Sequence, residues 1–116
     1  WGVSSFISDE DIQHVARYLH TWAGPQSCLA FNAQNAGTRP DDPAIAQALK
    51  IYQQMGSTIY LRTLEHYIHL LQPWKLGEKG FISFVEWHNF DASLMPDDTK
   101  QRSGNGGGNY GAYLLK

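Results

Sequence analysis

The sequence predicts an α+β fold, with three to four helices packed on a short antiparallel sheet. Three observations point to it. Apolar residues recur at helical spacing over residues 9–22 and again over 43–71. A run rich in β-formers, Phe81-Ile82-Ser83-Phe84-Val85-Glu86-Trp87, follows a glycine-containing turn. A second such segment, Tyr110-Gly111-Ala112-Tyr113-Leu114-Leu115, can return beside the first. The alternative is a mostly α, degenerate EF-hand-like fold, in which residues 81–87 enter a helix.

The first helix starts at Ser8, an N-cap followed by the acidic first turn Asp9-Glu10-Asp11, close to a capping box. Ile12, Val15, Ala16, Leu19 and Trp22 form its apolar stripe, and Gly24-Pro25 stops it. His14 and His20 read as surface polar positions. A short second helix is expected next, with Ser27 as cap, Cys28 at its first position and Gly37 as its left-handed terminator. Residues 38–43 form a loop ending in the N-cap Asp42 and a Pro at the first helical position. The helix that follows carries Ile45, Ala48, Leu49 and Tyr52 on one face and ends at Gly56. Ser57 or Thr58 caps another, with the stripe Tyr60, Leu64, Tyr67, Ile68 and Leu71, which Pro73 terminates. Residues 90–109 read as a long loop, rich in Asp, Asn and Gly.

At 116 residues, with 42% hydrophobic residues and 15 aromatics, the chain is expected to form one domain over residues 1–116. Net charge is −2, and the nine Lys and Arg are scattered, which argues against nucleic acid or an anionic membrane surface as partner. No apolar run approaches the roughly 20 residues a membrane span needs. One cysteine excludes an internal disulfide and leaves the redox compartment open. Trp1 in place of Met reads as a processed or trimmed start, so a signal peptide, if there was one, is already gone, and the localisation stays open.

Four patterns bear on chemistry. His66 and His69 share a helix face beside Glu65, but no HExxH and no third ligand accompany them, so solvated polar positions are the better reading and no metal is assigned. Gly80, Ile82 and Glu86 echo the second half of a calcium loop, but Lys75, Gly77 and Lys79 stand where the oxygen ligands belong. Glycines 104 and 106–108 lack a Walker lysine and a following helix, so they read as a flexible loop and no cofactor is implied. The fourth is a cysteine nucleophile with a histidine base. Cys28 at a helix N-terminus is expected to have a lowered pKa. His88 is the candidate base, Asn89 or Asp91 its orienting partner, and Gln26 an oxyanion donor. The plainer reading makes Cys28 a buried core residue and His88 a loop residue.

Gln26-Ser27-Cys28-Leu29-Ala30-Phe31 resembles the nucleophile helix of papain-like cysteine hydrolases. Ile59-Tyr60, Tyr67-Ile68 and Gly77-Glu78-Lys79-Gly80-Phe81-Ile82 follow in the order found in the compact NlpC-type cysteine amidases delivered by type VI secretion. The likeness covers roughly residues 26 to 87. It implies cleavage of an amide in peptidoglycan stem peptides, with Cys28 as nucleophile and a cognate inhibitor or immunity protein as partner. The family's catalytic histidine follows a glycine in the second strand, whereas here Gly111 is followed by Ala112. The resemblance therefore implies an inactive protein, one altered at position 112, or one that uses His88. From another class comes a non-catalytic interaction or self-assembly module, in which the aromatic surplus serves a partner interface.

Overall fold

The computed structural model describes residues 3–36, 43–95 and 107–116. Its elements are α1 (Asp9–Trp22), β1 (Cys28–Asn35), α2 (Pro43–Gln54), α3 (Leu64–Leu70), β2 (Lys75–Leu76), β3 (Ile82–Ser83), α4 (Phe84–Trp87), a 3₁₀ turn (Ala92–Leu94) and β4 (Gly108–Leu115). The fold is α+β, and the mostly α alternative is not adopted. β4 is the spine of a four-stranded antiparallel sheet. β1 pairs along one side of it from Cys28↔Leu115 to Asn35↔Gly108, while β2 and β3 share the other side.

Alternation along β1 and β4 separates two faces. Phe31, Ala33, Ala112 and Leu114 are buried on one face, against Ile12 and Ala16 of α1 and Tyr67 and Leu70 of α3. Trp74 joins this core, its indole N–H donating to the Ala16 carbonyl at 2.8 Å. Cys28, Ala30, Asn32 and Gln34 point to the opposite face, together with the β4 positions facing them, Leu115, Tyr113, Gly111 and Asn109. We call this the outer face.

α1 begins where the capping box places it. Ser8 Oγ accepts from the Asp11 N–H at 3.1 Å and donates to the Asp11 carboxylate at 2.6 Å. Trp22 does not join the stripe and is 78% exposed, whereas His20 sits half-buried, edge-on to Trp74. α2 spans the expected segment, but its described side chains are exposed or half-buried; a ring contact of 5.7 Å between Tyr52 and Phe6 ties it to the N-terminal segment.

The cysteine segment is a strand, not a helix. Gln26 turns the chain with a φ of 64°, and the Ser27 carbonyl accepts from the Lys116 N–H at 3.1 Å, which starts the pairing with β4. Leu29, Phe31 and Ala33 alternate with more polar neighbours, and β4 takes up that period of two. The terminator assigned to Gly37 and the cap assigned to Asp42 lie outside the described residues, as does most of the glycine-rich stretch.

α3 starts later than its apolar stripe suggested. Thr63 is its cap, accepting from the His66 N–H at 3.2 Å. The chain before it is extended and forms a bridge from Arg62 to Asn35. Arg62 pairs with Asn35, and its carbonyl accepts from the Ala36 N–H at 3.1 Å, which holds its backbone outside the helix; Ile68 ends up 39% exposed. Residues 81–87 divide between the two readings: β3 pairs Ile82 and Ser83 with Gly111 and Tyr110, then Ser83 caps α4 by accepting from the Glu86 N–H at 3.3 Å.

Candidate functional site

Five aromatic rings form an unbroken chain around α4. Phe90 stacks on His88 at 5.3 Å between centroids, and His88 meets Phe84 edge-on at 5.7 Å. Phe84 in turn meets Trp87 at 6.4 Å, and Trp87 meets Tyr113 at 4.9 Å. The chain lies on the outer face because Trp87 sits over Gly111, where a Cβ would overlap its indole ring. Glycine in the middle of β4 is thus the condition for α4 to lie against the sheet. Both ends of the chain are open to solvent, Phe90 being 62% and Tyr113 51% exposed. Leu115, two residues beyond Tyr113 on the same face of β4, is 46% exposed and extends the apolar surface toward its partner Cys28.

The residues assigned to a cysteine hydrolase are distributed around this surface. Cys28 is exposed at the start of β1. No helix begins at Cys28, so no helix N-terminus acts on its thiol. Gln26 is exposed in the preceding turn, at its positive φ. His88 closes α4, its N–H donating to the Phe84 carbonyl at 3.0 Å, with its ring held between Phe84 and Phe90. Asn89 follows with a φ of 53°. Asp91 opens the 3₁₀ turn, its carboxylate accepting from the Ser93 N–H at 2.9 Å. Hydrogen bonding from the Ser93 side chain, and then from its backbone, lowers the Asp91 pKa below the ordinary aspartate value.

Cys28 and His88 reach the sheet from opposite sides of β4. Cys28 pairs with Leu115, whereas β3, which leads into α4, pairs at Gly111 and Tyr110. That offset corresponds to about 13 Å along the strand at ~3.3 Å per residue. Cys28 lies on the outer face, and α4 reaches that face through Trp87.

Sequence reading alone missed Trp87, Phe90 and Tyr113 as members of one surface. A signal was present: a glycine inside a strand otherwise rich in β-formers marks a close approach, and Trp87 is the group that approaches. Among the described residues, no group of three or more His, Cys, Asp or Glu is placed to hold a metal ion, and no helix is long and apolar enough to cross a membrane. No family model matches the chain, and no curated protein or solved structure matches it.

Proposed function

We propose that this protein is a non-catalytic interaction module whose working surface is the outer face of the sheet. The observation that carries this reading is the continuous chain of five rings with both ends open to solvent. Contiguous aromatic surface of this kind is uncommon on a monomer without a partner, and aromatic side chains supply much of the energy at protein interfaces. A second copy of the chain is the partner that needs nothing beyond what the face already offers. Sedimentation velocity over a concentration series tests it. Reversible association that Tyr113→Ser and Phe90→Ser weaken supports the reading, and a monomer at every concentration removes self-association from it.

The second reading is a cysteine amidase or peptidase acting on peptidoglycan stem peptides, with Cys28 as nucleophile and His88 as base. It draws support from the exposure of Cys28 and from the face its strand shares with α4. Iodoacetamide labelling at neutral pH separates the two readings. An interaction module labels at the same rate with His88→Ala, while an amidase labels fast and slows on loss of the imidazole. A fast, His88-dependent reaction overturns the non-catalytic reading.

A further inference from the structure

Beside the end strand β1, where it borders the outer face, lies a recess of about 70 Å³. Its polar lining is Ser4, Ser5, Asn32, Gln34 and Asn109, two hydroxyls and three carboxamides with no formal charge among them. Gln34 and Asn109 face each other across the β1–β4 pair, and Asn32 lies two residues along the same face. The N-terminal segment forms the remaining wall, with Ser4 and Ser5 buried and Ser4 Oγ donating to the Asn32 carbonyl at 3.4 Å. Asn32 Oδ1 is shut off from solvent and has no hydrogen-bond partner in the protein.

We propose that this recess binds one neutral amide group of a ligand, a peptide carboxamide or an acetamido substituent. The volume is roughly that of two waters, enough for an amide group but not for a whole residue or a sugar ring. An ion is disfavoured, because nothing in the lining balances its charge and desolvating it is costly. The exposed carboxamides of Gln34 and Asn109 each offer both a donor and an acceptor, so an incoming amide finds its own pattern reversed, and the serine hydroxyls rotate to suit either end. Phe6 and Ala33 supply apolar contact for the carbon attached to the amide. The recess borders the ring chain where Asn32 pairs with Gly111 under Trp87, but no ring of the chain lines it, so the inference holds whichever reading of that surface is correct.

The test is an NMR titration of the full chain with acetamide, following the side-chain NH₂ signals of Asn32, Gln34 and Asn109, with acetate as a charged control of similar size. Saturable shifts of these signals by acetamide and none by acetate are expected. Asn32→Ala and Gln34→Ala should each abolish saturation over the same range. Gln34 is exposed, so its variant keeps the test valid even where Asn32→Ala fails to fold. N-acetylglucosamine and N-acetylalanine methylamide then distinguish the two sources, the true one binding more tightly than acetamide. The absence of saturable shifts with every amide, which would leave only water in the recess, overturns the proposal. Equal shifts by acetate, or unchanged binding in both variants, do the same.

Discussion

Asp9 Oδ1 accepts from Arg62 Nε at 2.7 Å, across 53 residues of sequence, and the arginine side chain is only 1% exposed. The rest of the guanidinium donates to the carbonyls of Ser4 and Ile7, each at 2.7 Å, and its plane lies over Tyr60 at 4.9 Å. One buried cation therefore fixes the N-terminal segment, the start of α1 and the approach to α3. Burying a guanidinium is tolerable only when its N–H groups are met in this way. The same segment walls the amide-lined recess, so the clamp sets the geometry of that site as well.

Arg62→Met should accordingly destabilise the protein by about 2–4 kcal/mol, because the carbonyls of Ser4 and Ile7 lose their donors while the half-exposed Asp9 is left to water. Arg62→Lys should recover little of it, since an ammonium lacks the planar fork that meets three acceptors at once. Urea denaturation measures both. A loss under ~1 kcal/mol for Arg62→Met would show that the N-terminal segment is held by other contacts.

Thr63→Ala removes the hydroxyl that caps α3 and should cost about 1 kcal/mol. Thr63→Ser should restore most of it. The same denaturation series checks this, and a neutral Thr63→Ala would mean that α3 starts through packing of Tyr67 and Leu70 alone.

These contacts also mark where sequence reading succeeded and where it stopped. The Ser8 cap, the stop at Gly24-Pro25, the start of α2 at Pro43 and the strand over 110–115 all rest on local chemistry, and local chemistry is legible in order along a chain. The cysteine segment was misread because Ser27 and Gly37 suit a helix boundary, while the alternation of Leu29, Phe31 and Ala33 matters only once β4, some 75 residues later, pairs with it. Arg62 shortened α3 for the same kind of reason, as its partners lie at residues 4 to 9. The ring chain joins α4 to β4 through Gly111, a contact no spacing rule encodes. The residue types of Cys28 and His88 are legible in the sequence, but the sheet register that places each of them is non-local.

The Asp91 carboxyl should titrate below the ordinary aspartate value, because Ser93 hydrogen-bonds its ionised form. A depressed pKa contributes stability that is present above the unfolded-state value and lost as pH falls through the folded-state value. The 3₁₀ turn should therefore loosen only at acid pH, and Ser93→Ala should move the Asp91 midpoint upward. Carbon-detected NMR of the carboxyl measures it. A midpoint at or above the ordinary value would mean that the Ser93 contact is not kept in solution.

Trp87 over Gly111 allows the sharpest test of the outer face. Gly111→Ala places a methyl where the indole now lies, so either the ring moves off the strand or the strand distorts. The expected cost is about 1–3 kcal/mol, the range for overpacking a close contact. Displacing Trp87 also breaks its contact with Tyr113 and interrupts the chain of rings. The tryptophan signals in an NMR spectrum should shift accordingly. Trp87→Ala removes the ring that clashes, so in that background Gly111→Ala should cost close to nothing, giving a coupling energy of roughly 1–3 kcal/mol in a double-mutant cycle. Additive effects would show that Trp87 does not rest on the strand in solution, and the aromatic surface proposed as the docking face would then lack the ring that joins α4 to Tyr113.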